Sequence, residues 1–135
     1  MNELQYTDEV PGVEEFIGLR VAAGLSANTE EAATRGLAGT CLSVCVRDGQ
    51  RLVGMGRVIG DGGCFYQVVD IAVHPDYQRR GIGLRIMGRL MDGLRQQAPE
   101  SAYVSLIADG PARLLYEKFG FEPVAPASIG MALRL

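Results

Sequence analysis

The residues best suited to chemistry lie in one hexapeptide, Gln78-Arg79-Arg80-Gly81-Ile82-Gly83. An extended apolar run precedes it, Val68-Val69-Asp70-Ile71-Ala72-Val73, and then His74-Pro75. After it, Leu84-Arg85-Ile86-Met87-Gly88-Arg89-Leu90-Met91 carries its apolar residues at helical spacing. The start of a helix presents unpaired N–H groups and partial positive charge. A Ser, Thr, Asp or Asn cap usually satisfies them, but here the chain offers only Gln, Arg, Arg and Gly. Two cations beside a positive helix end call for solvent or an anion as compensator. The arrangement therefore reads as an anion site for a ligand phosphate, with backbone N–H groups holding it and Arg79 and Arg80 assisting. The arginines alone would also suit a solvated turn; the glycines after them favour phosphate contact.

The elements that must position this turn follow from periodicity. Residues 4–7 suit a short strand. Asp8 is placed to cap a helix with Pro11 near its start and Gly24 at its stop. A second helix is expected from Asn28, with Glu31 in capping-box spacing, to about residues 36–39. The period then changes to that of strands over 42–46, 51–59 and 64–73, joined by turns at Asp48-Gly49 and at residues 60–63. Pro75 ends the third strand. Ile82, Ile86, Leu90 and Leu94 give the next helix one apolar face. A strand over 102–108, a short helix from Pro111 to Gly120, and a last hairpin over 121–124 and 130–135 complete the chain. The order is β-α-α-β-β-β-α-β-α-β-β. It predicts a mixed α/β sheet in a single domain over residues 1–135, with hairpins in one half and a parallel crossover in the other.

The bulk composition narrows the function classes. The 135 residues are 47% hydrophobic and carry a net charge of −3. That balance argues against nucleic acid as a partner and permits an amine substrate. No apolar run approaches the ~20 residues of a membrane span. No signal peptide is expected, so the odd count of cysteines (Cys41, Cys45 and Cys64) predicts reduced, buried thiols in a cytoplasmic protein. With His74 as the only histidine, no metal site is expected.

The glycine turn lacks the third glycine of a dinucleotide fingerprint and the Gly-Lys-Ser/Thr ending of a Walker loop. Its Gln-x-x-Gly-x-Gly pattern, after Ile71-Ala72-Val73-His74-Pro75-Asp76-Tyr77, resembles the acetyl-CoA loop of the GNAT N-acetyltransferase superfamily. A second segment agrees, Asp109-Gly110-Pro111-Ala112-Arg113-Leu114-Leu115-Tyr116-Glu117-Lys118-Phe119-Gly120-Phe121. It is similar to the family's Asn-x-x-Ala-x-x-Leu-Tyr-Glu-Lys-x-Gly-Phe. The expected element order matches the family's fold along the whole chain. The resemblance implies a GNAT-like fold, acetyl-CoA as co-substrate and transfer of acetyl to an amine. It also implies that Arg79, Arg80, Gly81, Ile82, Gly83 and Leu84 hold the pyrophosphate. The backbone of Ile71, Ala72 and Val73 would line the pantetheine arm, and Tyr116 would sit near the thioester sulfur. The family's asparagine beside the pantetheine falls at Asp109, which keeps acceptor oxygens and loses the amide donor.

Acetyl transfer requires a neutral amine, donors for the developing oxyanion, and a proton for the leaving thiolate. A phenol with a pKa near ~10 holds its proton at neutral pH, which suits Tyr116 as general acid. The resemblance places the oxyanion donor at a backbone N–H near Val73. For the base, Asp70 stands in an apolar strand and needs either a partner or a function. A hydrogen bond to a loop is the alternative role for Asp70, His74 is a further candidate base, and transfer through water needs no base at all. The loops that would frame the acceptor, 25–29 and 125–130, are short, which points to a small-molecule amine. The resemblance is compatible with a homodimer. Two other readings remain: a CoA-binding regulatory or sensor module without turnover, and a binding module for some other phosphate ligand.

Overall fold

The computed structural model describes residues 3–135. Its sheet has five strands in the order β1-β2-β3-β4-β5. These are β1 (Gln5–Thr7), β2 (Leu42–Asp48), β3 (Arg51–Gly60), β4 (Phe65–Val73) and β5 (Tyr103–Ser105). The first four pair antiparallel in succession, and β5 lies parallel to β4. A parallel neighbour needs a crossover, and α3 (Ile82–Gln97) supplies it. The mixed α/β class agrees with the sequence pattern.

Helices cover both faces. Ile82, Ile86, Met87, Leu90 and Leu94 of α3 pack on Val44, Val46, Val53, Val58, Tyr66 and Val68. On the opposite face α1 (Val13–Ala22) and α2 (Glu30–Ala38) set Phe16, Leu19, Ala33 and Leu37 against Cys45, Leu52, Met55 and Ala72. Strand alternation divides β2 between the two layers: Val44 and Val46 point to α3, and Cys45 between them points away. Each fully buried aliphatic side chain contributes about 1.5–3 kcal/mol. Gly56 lets α3 lie close to the sheet. A Cβ there would meet Ile71 Cδ1 at 2.6 Å and Ile86 Cγ2 at 2.7 Å.

Several local expectations shift. Asp8 does not cap α1. The N-cap is Gly12, whose N–H donates to Glu15 Oε2 at 2.8 Å, while Asp8 accepts from Arg89 on α3 at 2.8 Å. Thr29, one residue beyond Asn28, caps α2 by accepting from Ala32 N–H at 3.1 Å. Gly24 does end α1, at φ +90°, where the Leu25 N–H reaches back to Arg20 O at 2.8 Å. Of the three thiols, Cys45 is buried, Cys41 is partly exposed and Cys64 is exposed. Burial pushes the Cys45 pKa up to about 12.

The final part of the chain departs most from expectation. The strand over 102–108 is ladder-paired only at Tyr103–Ser105, and the hairpin over 121–124 and 130–135 does not form. Pro123 cannot donate to a ladder, and a lone two-stranded hairpin is marginal in water. No described helix is long and apolar enough to cross a membrane.

Candidate active site

The sheet opens where the two predicted motifs meet. β4 pairs with β5 at Phe65↔Tyr103, Tyr66↔Val104 and Gln67↔Ser105, and then the pairing stops. Beyond Gln67, β4 has no strand partner on that side among the described residues. A bulge follows. Met55 faces Ala72 and Arg57 faces Val69, so Gly56 alone stands opposite Asp70 and Ile71. The extra residue bends the strand, and Asp70 takes φ +59°, a left-handed conformation that Asp tolerates better than most residues. Ile71 completes the bulge, and Ala72 and Val73 lie past it, along the open edge.

The chain then enters the glycine turn. His74 Nδ1 accepts from Asp76 N–H at 3.1 Å and starts a 3-10 turn over Pro75–Tyr77. Gln78 Nε2 donates to Val73 O at 3.0 Å, which ties the loop to the end of β4. Arg79 and Gly81 both have positive φ, +64° and +77°. Gly81 is the N-cap of α3, and no side chain caps the helix. The first helical bond runs from Arg85 N–H to Gly81 O at 3.1 Å, so the N–H groups of Ile82, Gly83 and Leu84 lack intrahelical acceptors. Arg80 folds back on the loop, donating to Asp76 O at 3.2 Å with its guanidinium over the Tyr77 ring. Arg79 makes no side-chain hydrogen bond or ion pair among the described residues and is exposed. This loop fits a diphosphate: donors without acceptors, a helix dipole, and one uncommitted cation.

Tyr116 comes to the same place from far along the sequence. It sits on α4 (Arg113–Glu117), half-buried, with its ring edge-on to Phe121. Its neighbour Leu115 packs at the start of α3; a Cβ on Gly83 would lie 3.5 Å from Leu115 Cδ2. That contact joins the glycine turn to the tyrosine segment. Burial, and secondarily the Asp109 carboxylate, raise the Tyr116 pKa above its ordinary value. The hydroxyl has no hydrogen-bond partner among the described residues. It thus holds its proton at neutral pH and is free to donate it.

The two candidate bases are both engaged. Asp70 Oδ1 accepts from Arg20 Nη1, and Asp70 Oδ2 accepts from Arg57 Nε at 2.9 Å. Its side chain is only 7% exposed. Arg57 also reaches Thr40 Oγ1 at 2.7 Å and Gly36 O at 3.2 Å. Arg20 reaches Ser26 O at 2.9 Å. Asp70 is thereby the knot that ties α1, the end of α2 and the loop between them to the β4 bulge. Arg20 and Arg57 were not singled out from sequence. The available signal was Arg57, a lone charge in the otherwise apolar run Leu52-Val53-Gly54-Met55-Gly56-Arg57-Val58-Ile59. At His74, the second ring nitrogen lies 3.0 Å from Arg51 Nη2.

A family model, the acetyltransferase (GNAT) domain, matches residues 39–123. The chain belongs to the GNAT acetyltransferase family. The match runs from before β2 to beyond α4 and so contains the open edge of β4, the glycine turn and Tyr116. A solved structure similar to this GNAT chain is that of a probable acetyltransferase of unknown function from meticillin-resistant Staphylococcus aureus. It is 47% identical, covers 98% of this chain and 100% of its own, and superposes with a TM-score of 0.95. Among curated relatives, the uncharacterized N-acetyltransferase ycf52 of Porphyra purpurea is 37% identical over 71 residues, 53% of this chain and 40% of its own. The [ribosomal protein bS18]-alanine N-acetyltransferase of Escherichia coli strain K12 is 38% identical over 53 residues, 38% of this chain and 36% of its own. The chain thus spans about two fifths of the length of the curated relatives it matches.

Proposed function

We propose that this GNAT chain moves an acetyl group from acetyl-CoA to a primary amine by direct transfer. The observation that carries the reading is the contact of Leu115 with the Gly83 position. It brings the uncapped start of α3 next to the segment that carries Tyr116, which supports pairing an anion site with a proton donor. The N–H groups of residues 82–84, with Arg79, hold the pyrophosphate, and Arg80 braces the loop. The open edge of β4 at Ile71, Ala72 and Val73 takes the pantetheine arm as an extended neighbour. Asp109 stands close enough for its charge to act on Tyr116.

In the reaction the amine lone pair forms the new C–N bond at the thioester carbonyl. A β4 backbone N–H near Val73 steadies the oxyanion. The C–S bond breaks, and the thiolate takes the Tyr116 proton. Asp70 is not the base in this scheme, because two guanidiniums occupy its oxygens; it holds the acceptor side in place. The amine loses its proton to water, and water returns a proton to the Tyr116 phenolate. The acceptor is a small-molecule amine, framed by an α1–α2 loop that Arg20 fastens at Ser26. The [ribosomal protein bS18]-alanine N-acetyltransferases among the relatives favour a second acceptor class, an alanine of a protein. The family match begins at residue 39 and leaves α1 and α2 outside it, so the helices that would choose the acceptor lie outside the matched region.

Tyr116→Phe tests the reading. Free-thiol release from acetyl-CoA is followed with a panel of small amines and alanine-ended peptides. The variant is expected to lose about 10²-fold or more in kcat with acetyl-CoA affinity unchanged. Unchanged turnover would remove Tyr116 as the acid. Acetyl-CoA binding without thiol release for any acceptor would favour a sensor module instead.

A further inference from the structure

The loop before α3 contains two left-handed residues, Arg79 at φ +64° and Gly81 at φ +77°. Glycine enters that region freely. A residue with a Cβ stays there only where its surroundings over-determine it, and such residues gather at ligand clamps. Two side-chain bonds tie this loop to its own root: Gln78 Nε2 donates to Val73 O at 3.0 Å, and Arg80 Nη2 to Asp76 O at 3.2 Å. Neither fixes the loop against a separate part of the chain.

Tyr77 does so. Its hydroxyl donates to Asp48 Oδ2, at the end of β2, and a hydrogen bond to a carboxylate is among the stronger kind. Arg51 and Arg80 both lie over the Tyr77 ring, with Cζ 5.8 and 5.2 Å from its centre. The His74 ring meets it edge-on at 6.1 Å, and Arg51 Nη2 lies 3.0 Å from His74 Nε2. Topology explains the meeting. β3 runs antiparallel to β4, so Gly54 faces Val73, and the His74 N–H donates to Val53 O at 2.8 Å. The β2–β3 turn therefore stands beside the start of the loop. Asp48-Gly49, a turn signal in the sequence, also brings a carboxylate to Tyr77.

On the reading that this loop takes the pyrophosphate of acetyl-CoA, we propose that Tyr77 and Asp48 are positioning residues for that ligand. Their hydrogen bond anchors the loop to the β2–β3 turn and keeps Arg79 and Gly81 in the left-handed turn that presents the N–H groups of residues 82–84. Both act through the loop, and neither belongs to the groups that hold the phosphates or touch the reacting atoms. A loop ordered before the ligand arrives loses less freedom on binding. Without the anchor, acetyl-CoA must order the loop itself. Affinity then falls, while the chemistry of the bound thioester stays as it was.

Calorimetry with acetyl-CoA tests this without an acceptor amine. Tyr77→Phe keeps the ring between its arginines and removes the hydroxyl; it should bind acetyl-CoA about tenfold more weakly than the wild type. Asp48→Ala should lose as much, and the double variant no more than either alone, because one bond is lost in all three. Asp48→Asn keeps an acceptor oxygen and should recover part of the affinity; it replaces Asp48→Ala in the cycle if that variant does not fold. In thiol-release assays the loss should appear in the KM for acetyl-CoA and not in kcat, a split that a general loss of structure would not produce. Fully additive losses overturn the proposal, and so does a fall in kcat at unchanged KM. Gly83→Val separates the anchor from the site it serves. Wild-type affinity in Tyr77→Phe, with none in Gly83→Val, removes the anchor alone. Wild-type affinity in Gly83→Val removes both, because the pyrophosphate then lies elsewhere.

Discussion

Two acidic residues near the site carry their charge to different ends. The Asp109 carboxylate stands near Tyr116 and, after burial, is the second cause of its raised pKa. A raised phenol pKa extends the range over which Tyr116 is protonated, so activity that depends on this proton persists below that pKa and fades as pH rises through it. Asp109→Asn removes the charge and keeps the size. The alkaline limb of the kcat profile should then move to lower pH, and only in part, because burial remains. A limb that stays in place would mean that Tyr116 does not set it. Asp70, by contrast, spends both oxygens on Arg20 and Arg57. Removing one partner of a buried ion cluster leaves the other charges uncompensated. Asp70→Ala should cost about 3–5 kcal/mol in urea unfolding, part of it from φ +59°, which alanine does not favour. Loss of activity with full stability would instead return Asp70 to the list of catalytic groups.

At the scale of elements, the site is a strand end, a loop and two helix starts brought to one place. The bulge at Asp70 and Ile71 opposite Gly56 bends β4, and pairing to β5 ends after Gln67. The gap that results exposes a strand edge inside the fold, where a ligand can take the place of a neighbouring strand. α3 begins with no side-chain cap, and α4 rests on its first turn through Leu115. Gly83 lies at that seam. A Cβ there makes only ordinary contact with Leu115 at 3.5 Å, so Gly83→Val should unfold within a few degrees of the wild type. Its branched side chain crowds the three unpaired N–H groups, however. Acetyl-CoA binding by calorimetry should fall below detection, and normal binding would mean that the pyrophosphate lies elsewhere.

At the scale of the molecule, the two helical layers divide the work. In the proposed reading α3 and α4 serve the donor, and α1, α2 and the arginine–aspartate knot, on the other side of the sheet, frame the acceptor. Binding to the folded state alone raises stability by about 2.7 kcal/mol at 100 times Kd, which for a chain of this size is roughly 5–10 °C in Tm. Acetyl-CoA should therefore raise Tm by that much, and inorganic pyrophosphate, which offers the phosphates without the pantetheine, should raise it less. Equal shifts would point to a phosphate site that makes no use of the β4 edge.

Much of this was legible in the sequence, and for local reasons. The uncapped Arg-Arg-Gly-Ile-Gly turn, the α3 stripe at Ile82, Ile86, Leu90 and Leu94, and the strands on either side of Asp48-Gly49 are written in residue types a few positions apart. Helix dipoles, turn propensities and periodicity act over those distances, so the sequence by itself determined the mixed α/β order and the uncapped glycine turn. What it did not determine depends on partners distant in the chain. Asp70 looked like a base because Arg20 lies 50 residues and Arg57 13 residues away. Asp8 looked like a helix cap because its partner, Arg89, lies 81 residues away. Residues 130–135 looked like a hairpin strand because a period of two shows which face must be buried, not against what. Only the tertiary structure decided these points: a charge or an apolar row takes its role from the group that meets it, and that meeting is made by the packing of the sheet and its helices.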